Sequence, residues 1–201
     1  MRVIVIGATG TIGSAVVTAL STRHDVVKVA HKSGAFRVDL ASPDSISKLF
    51  RTIGAFDAVV STAGLAKFAS MDELKDEDYQ IGLSNKLMGQ ANLVRIGRQF
   101  INERGSFTLT SGAASHEPMK GSTSFSMVNA GLDGFVRAAA LELPRGIRVN
   151  VVSPPWVTET LIALKMDQSL GISAAKVAQA YLASLEGTAT GQVIDPRKLT
   201  K

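Results

Sequence analysis

Short apolar runs alternate with longer stretches of helical spacing along the whole chain. Six runs are rich in β-branched residues and mostly uninterrupted, which is typical of strands buried on both faces. They cover residues 3–6, 26–29, 56–60, 107–109, 147–152 and 192–194. Five stretches with helical spacing cover residues 11–20, 43–53, 72–100, 122–143 and 173–185. This alternation predicts an α/β fold with a doubly wound parallel sheet, built as a single domain over residues 1–201.

The connection after the second run is unusually short. Only residues 31–38 separate this run from Asp39, whereas a parallel crossover that contains a helix needs about 10–12 residues. We therefore expect no helix at this crossover. Downstream, Ser42, Pro43 and Asp44 form a typical helix start, with a capping hydroxyl, a proline in the first turn and an early carboxylate.

Composition narrows the classes of protein and the available chemistry. The 201 residues are 45% hydrophobic and 19% charged, which suits one folded core. The absence of cysteine excludes disulfides and thiol nucleophiles, and three histidines leave little for a metal site, so we expect no metal.

No apolar run approaches the roughly 20 residues of a membrane span, and no signal-peptide pattern is present, which predicts a cytoplasmic protein without a membrane partner. The net charge of +5 is scattered and only 5% of residues are aromatic, so nucleic acid is not an expected partner.

A glycine-rich loop follows the first apolar run and opens the first helical stretch. Gly7, Gly10 and Gly13 are spaced as a tight turn, a close backbone approach to a pyrophosphate and helix packing require. A purely structural turn could use the same glycines, but their place after a buried strand favours dinucleotide binding, with the helix N-terminus facing the phosphates. The expected cofactor contacts here are Gly7, Thr9, Gly10, Thr11, Ile12 and Gly13.

Further motifs in the same order resemble the short-chain dehydrogenase/reductase family over nearly the whole chain. They are the pair Asp39-Leu40, the segment Ser61-Thr62-Ala63-Gly64, Asn85 in a helical stretch, Ser111 in Leu-Thr-Ser-Gly, and residues 148–155. The resemblance implies a three-layer Rossmann-type sheet, a nicotinamide cofactor, a small-molecule substrate and a homodimer or homotetramer.

The resemblance also assigns roles to individual residues. Ser111 would polarise the substrate, and Asn85 would organise a water that relays protons. It implies further cofactor contacts from Asp39, Leu40, Ser61, Ala63, Gly64, Asn129, Pro154 and Val157.

The residues after the second run bear on which cofactor is used. An acidic residue at this position binds the ribose 2′-hydroxyl of NAD, but here the chain has His31, Lys32 and Ser33, with Arg37 nearby. A cation and a hydroxyl suit a phosphate monoester, which favours NADP(H) over NAD(H). The alternatives are that Lys32 is an ordinary solvated lysine and that NAD(H) is used.

The chain departs from the family at the residues that handle protons. The family has a tyrosine and, four residues later, a lysine on the helix after the catalytic serine; alignment places Phe125 and Asn129 there. The two tyrosines of the chain, Tyr79 and Tyr181, lie elsewhere, and no lysine occurs between 120 and 165. A positioned general acid contributes about 10²–10⁴-fold in rate, so ordinary carbonyl chemistry should suffer more than cofactor binding.

Two hypotheses follow from this departure. The first is an NADP(H)-dependent oxidoreductase with altered proton delivery, in which Ser111, Asn85, Phe125 and Asn129 form the catalytic site. The second is a non-catalytic NADP(H)-responsive binding or regulatory protein. Three polar residues after Ser111 are either proton sources or plain surface residues: His116, Glu117 and Lys120.

Overall fold

The computed structural model describes residues 1–199. Its strands are β1 (Arg2–Ile6), β2 (Asp25–Ala30), β3 (Phe36–Arg37), β4 (Phe56–Ser61), β5 (Ile101–Thr110), β6 (Arg148–Val152), β7 (Trp156–Val157), β8 (Gly171–Ile172) and β9 (Val193–Ile194). Seven of them form one parallel sheet in the order β3-β2-β1-β4-β5-β6-β9, and β7 pairs with β8 separately. The predicted doubly wound parallel sheet is confirmed.

Helices cover both faces of this sheet. They are α1 (Thr11–Leu20), α2 (Pro43–Ile53), α3 (Asp76–Ile81), α4 (Met88–Gly97), α5 (Thr123–Glu142), α6 (Thr158–Ala163) and α7 (Ala174–Glu186). Residues of α1 and α7 form one buried cluster with the sheet, and residues of α2, α4 and α5 form the other. The fold is thus the three-layer Rossmann type.

The strand β1 shows why its apolar run is uninterrupted. Ile4 and Ile6 point into the cluster under α2, α4 and α5, whereas Val3 and Val5 point into the cluster under α1 and α7. Successive side chains of a strand face opposite sides of the sheet, so a strand covered on both faces needs an apolar residue at every position.

The crossover from β2 to β3 contains no helix, as expected from its length. Only residues 31–35 connect the two strands. After β3, the Ser42 side chain accepts a hydrogen bond from the N–H of Ser45 at 3.2 Å and caps α2, with Pro43 in the first turn. Both local predictions are confirmed.

The helical stretch predicted over 72–100 is helical over residues 76–97 in the structure, but it is not one continuous α-helix. A π-helical segment, Gly82–Leu87, separates α3 from α4, and the N–H of Met88 bonds to the carbonyl of Leu83, five residues earlier. α5 lies close to this segment, because a Cβ on Gly82 would stand 3.2 Å from Val128 Cγ1. The sequence prediction did not include this insertion; single π-helical turns of this kind are rare and occur frequently at functional sites.

The strand predicted over 107–109 is longer in the structure, where β5 begins at Ile101. The apolar pattern did not predict its first half, because Asn102, Glu103 and Arg104 are polar and exposed. Asn102 nevertheless donates a hydrogen bond to Asp57 Oδ1 at 2.7 Å, and Ile101 is paired with Phe56 across a register shift. None of the helices in residues 1–199 has the length and apolar character needed to cross a lipid bilayer.

Candidate functional site

A cavity of about 480 Å³ opens at the carboxyl ends of β4, β5 and β6. This edge of a doubly wound sheet is where such folds bind ligands. The cavity walls come from the segments after these strands, from α5 and from the region of β7 and α6.

Two buried side-chain oxygens at the cavity make no hydrogen bond to the residues that the structure describes. Ser111 follows β5 directly, and its N–H donates to the carbonyl of Val152 at 2.9 Å. Its side chain lines the cavity and the residue is only 4% exposed, yet its Oγ makes no hydrogen bond to the described residues. Asn129 of α5 also lines the cavity, is 2% exposed, and leaves its Oδ1 equally unpartnered. An unsatisfied buried polar group costs about 1–3 kcal/mol, so both atoms suit a polar ligand.

Phe125 lies one helical turn before Asn129 and lines the same cavity. Its ring makes an edge contact with Phe68 at a centroid distance of 6.1 Å, and Phe68 makes another with Trp156 at 5.9 Å. These three rings form an aromatic wall of Phe68, Phe125 and Trp156. The wall offers a ligand an apolar surface and no proton.

A buried lysine, which the sequence analysis missed, also reaches the cavity. Lys86 lies in the π-helical segment, is 8% exposed and lines the cavity. Its Nζ donates to the carbonyl oxygen of Ser111 at 3.3 Å. Burial lowers the pKa of Lys86 from 10.5 to about 8. Its signal in the sequence is a lone charge beside Asn85 in the otherwise uncharged stretch 79–94.

Asn85 does not line the cavity. Its Oδ1 accepts a hydrogen bond from the N–H of Leu65 at 2.8 Å, which ties the π-helical segment to the chain after β4. The structure therefore brings together Ser111, Phe125 and Asn129 of the expected catalytic residues, and places the Asn85 side chain behind them.

The glycine loop adjoins the cavity through Ile12. Gly7 has φ +83°, and a Cβ on it would stand 2.8 Å from Thr62 Oγ1. A Cβ on Gly13 would overlap the Gly7 carbonyl. Gly10 precedes α1 without any side-chain cap, so the first N–H groups of this helix lack a protein side chain as acceptor.

The other expected cofactor contacts fall into two groups. Ala63, Gly64, Pro154 and Val157 line the cavity together with Asn129. Thr9, Gly10 and Thr11 are exposed at the start of α1, and Ser61 is buried at the end of β4.

The residues expected near the adenosine end lie after β2 and β3. His31, Lys32 and Ser33 are exposed, and His31 Nδ1 lies 3.2 Å from the carbonyl of Val38. The carboxylate of Asp39 accepts a bond from the N–H of Ala41 at 3.0 Å, and Leu40 is buried.

An ion-pair network closes one side of the cavity. Arg197 lies in the 3₁₀ turn Pro196–Lys198 and pairs with Glu117 at 2.7 Å and with Asp195 at 2.8 Å. Hydrogen bonds from Arg197 lower the pKa of Glu117. Arg197 and Glu117 line the cavity, whereas His116 and Lys120 do not.

Neither tyrosine can act at this site. Tyr181 is buried under the other face of the sheet, where its hydroxyl lies 2.6 Å from Thr110 Oγ1 and burial raises its pKa. Tyr79 lies 3.4 Å from Thr123 Oγ1, outside the cavity lining. Across residues 1–199, no three His, Asp or Glu side chains come together as a metal site.

Comparison with known proteins agrees with this architecture. A family model described as enoyl-(acyl carrier protein) reductase matches residues 11–191. An uncharacterized oxidoreductase of Mycobacterium bovis is 30% identical over 182 residues, which are 80% of this chain and 74% of that protein. The 3-oxoacyl-(acyl-carrier-protein) reductase FabG of Escherichia coli is 30% identical over 141 residues, covering 68% of this chain and 58% of the enzyme.

Solved structures give the same result. A crystal structure of a protein from Listeria innocua superimposes with a TM-score of 0.93 at 40% identity, covering 97% of this chain and 98% of that one. A small-chain dehydrogenase in complex with NADPH superimposes with a TM-score of 0.84 at 26% identity, covering 97% and 95%. The chain belongs to the short-chain dehydrogenase/reductase family and is an oxidoreductase of that family.

Proposed function

We propose that the protein is an NADP(H)-dependent reductase of small carbonyl compounds with an apolar body, and that it works without a catalytic tyrosine. The observation that carries the proposal is the pair of buried, unpartnered oxygens, Ser111 Oγ and Asn129 Oδ1, in a cavity that adjoins the glycine loop.

The residues present fit a dinucleotide. A Cβ on Gly7 or Gly13 would collide with protein atoms, so the two glycines allow the tight turn that precedes α1. The N–H groups at the start of this helix have no side-chain cap and are available to a pyrophosphate. Lys32 and Ser33 lie exposed after β2, where a 2′-phosphate would find a cation and a hydroxyl. The structural relative bound to NADPH supports this preference. When bound, the cofactor supplies a hydride to an electrophilic carbon of the substrate.

The chain's own residues then have distinct roles. The unpartnered hydroxyl of Ser111 donates a hydrogen bond to the substrate carbonyl oxygen and polarises the carbonyl group. The Asn129 amide hydrogen-bonds the hydroxyls of the nicotinamide ribose without adding charge. Asn85 holds the π-helical segment against the chain after β4 through its bond to the N–H of Leu65. The aromatic wall binds the apolar part of the substrate and excludes water from it.

A second candidate function rests on Phe125 and Asn129. Neither side chain carries a proton that titrates, so this helix face contributes binding surface and no acid. A protein that binds NADP(H) and responds to it without turnover would need no more than this.

Steady-state oxidation of NADPH with a panel of acetophenone, isatin and benzil tests the two candidates. We expect turnover in the wild type and a loss of about 10²-fold or more in Ser111→Ala. Ser21→Ala, at an exposed position after α1, is the matched control and should match the wild type. NADPH binding without turnover on any member of the panel would instead support the binding protein.

We also infer that copies of the chain associate through α4 and α5, as a homodimer or homotetramer. The apolar side chains of Met88, Met127 and Leu141 are exposed on these helices. Light scattering during size exclusion measures the assembly, and a monomer at micromolar concentration would contradict this inference.

A further inference from the structure

We propose that Lys86 is the proton donor of the site and replaces the tyrosine that the chain lacks. This inference rests on the proposed reductase function and adds a residue to it. It is carried by the position of Lys86, whose ammonium reaches the cavity beside Ser111.

The other groups at the cavity leave Lys86 as the donor. Among the described residues, the titratable side chains of the lining are Lys86, Glu117 and Arg197. Glu117 and Arg197 pair with each other at 2.7 Å on the exposed rim, where the carboxylate stays ionised and the guanidinium keeps its proton. Lys86 alone is buried and free of a carboxylate partner in the ion pairs of residues 1–199.

The fold positions the Lys86 side chain closely. Gly64, after β4, leaves space for the lysine stem, since a Cβ there would stand 2.8 Å from Lys86 Cγ. At the far end, the ammonium bonds to the Ser111 carbonyl, so it lies beside the residue whose free hydroxyl polarises the substrate. One of its three N–H groups is used in this bond, and two remain for a ligand.

No ion pair within residues 1–199 ties the Lys86 ammonium to a carboxylate. On the elements packed against the π-helical segment, Asp78 of α3 pairs with Lys67, and Tyr79 faces Thr123. Asp133 lies on α5, one turn beyond Asn129; its buried Oδ1 makes no hydrogen bond to the described residues, and no ion pair of residues 1–199 joins it to Lys86. Burial alone lowers the pKa of Lys86 to about 8, close to the working pH at which a general acid is most effective.

As the carbonyl carbon accepts the hydride, the π electron pair of the C=O bond moves to the oxygen. An N–H bond of the Lys86 ammonium breaks, and its proton forms the new O–H bond while the hydroxyl of Ser111 holds the oxygen in place. The substrate becomes an alcohol at the expense of the dihydronicotinamide, and the neutral amine of Lys86 regains a proton from water.

Three variants separate the contributions of charge, proton and fold. Lys86→Met keeps the length of the side chain and removes the ammonium. Lys86→Arg keeps the charge, but its guanidinium does not release a proton at neutral pH. Lys48→Met changes an exposed lysine of α2 and is the matched control. Each variant is assayed for NADPH oxidation with the same carbonyl panel from pH 6 to pH 10, chosen to span about two units on either side of the expected pKa.

The proposal expects three results from this assay. Lys86→Met and Lys86→Arg should lose about 10²–10⁴-fold in kcat while they bind NADPH within about threefold of the wild type. The wild-type kcat should fall as the pH rises through about 8, because the donor must carry its proton. Lys48→Met should reproduce the wild-type rate and profile.

A readout without turnover comes from NMR of the protein with ¹³Cε-labelled lysine. The Lys86 resonance, assigned by its absence in Lys86→Met, should titrate near pH 8 and shift when NADPH is added. An ordinary lysine titration, or a resonance that NADPH leaves unmoved, would overturn the proposal even if the enzyme is active.

The outcomes distinguish this proposal from the proposed function. If the wild type reduces the panel and Lys86→Met does so within threefold, Lys86 is not the donor and the reductase assignment stands. If the wild type binds NADPH but turns over nothing, or does not bind it, the reductase function fails and the role of Lys86 fails with it.

Discussion

The side chain of Gln90 and the backbone of Thr110 exchange two hydrogen bonds. Gln90 Nε2 donates to the Thr110 carbonyl, and Gln90 Oε1 accepts from the Thr110 N–H, both at 2.8 Å. β4 ends at Ser61, and the N–H of the next residue, Thr62, donates a hydrogen bond to the carbonyl of Ile6 in β1. Gln90 of α4 therefore takes the place of β4 as the hydrogen-bond partner of Thr110, which is the last residue of β5 and lies just before Ser111.

Gln90→Met should destabilise the fold and disturb the site. The methionine keeps the volume but leaves a buried donor and a buried acceptor of Thr110 unsatisfied, which should lower the free energy of unfolding by about 2–5 kcal/mol. Urea denaturation measures the change. Gln99→Met, at an exposed position after α4, is the control and should stay within about 0.5 kcal/mol of the wild type. Equal stability of the two variants would contradict a structural role for this pair.

Lys86→Met should make the protein more stable at neutral pH. The unfolded chain keeps the lysine proton up to about pH 10.5 and the folded chain only up to about pH 8, so burial of the charge opposes folding at pH 7. The stability of the wild type should rise between these two pH values, by about 3 kcal/mol relative to Lys86→Met. Urea denaturation of both proteins at pH 7 and pH 10.5 measures this difference. An identical pH dependence in the two proteins would show that the lysine is solvated.

Lys32→Glu should change the cofactor preference. Loss of a charge-assisted contact to the 2′-phosphate, and its replacement by a repulsive carboxylate, should weaken NADPH binding by about 10–100-fold. NADH binding should change little, because NADH has no phosphate at this position. Isothermal titration with both cofactors measures the effect. Lys28→Glu, at an exposed position of β2, is the control, and a Lys32→Glu variant that weakened both cofactors equally would argue against the assigned phosphate contact.

Phe125→Tyr should raise the rate of carbonyl reduction. The substitution adds a phenolic hydroxyl to the cavity, one helical turn before Asn129. A second general acid should increase kcat by about tenfold or more while NADPH binding is preserved. Phe135→Tyr, on the same helix but packed against the core, is the control. If NADPH binds normally to Phe125→Tyr and the rate does not rise, position 125 does not face the reacting carbonyl.

The sheet and the glycine loop could be predicted from the sequence, because each depends on local chemistry, whereas the positions of Ser111 and Asn129 followed from the resemblance to the family. β-branched runs such as that of β1 predict strands that are buried on both faces. Gly7 and Gly13 indicate positions where close contacts with the backbone exclude a side chain. The short crossover after β2 was predictable from chain length alone.

The part that could not be predicted depends on long-range packing. The π-helical segment was not predicted from the sequence, yet Lys86 lies in it and reaches the cavity while the side chain of Asn85 bonds to Leu65. The polar first half of β5 likewise depends on its neighbour β4, because Asn102 donates a hydrogen bond to Asp57 of that strand. Local sequence patterns contain neither contact.

Titration of the wild-type protein with NADPH and with NADH, followed by cofactor fluorescence, tests whether the cavity and the glycine loop form an NADP(H) site. We expect a micromolar or lower dissociation constant for NADPH and a higher one for NADH. If neither cofactor binds at micromolar concentration, the cavity and the glycine loop are not an NADP(H) site.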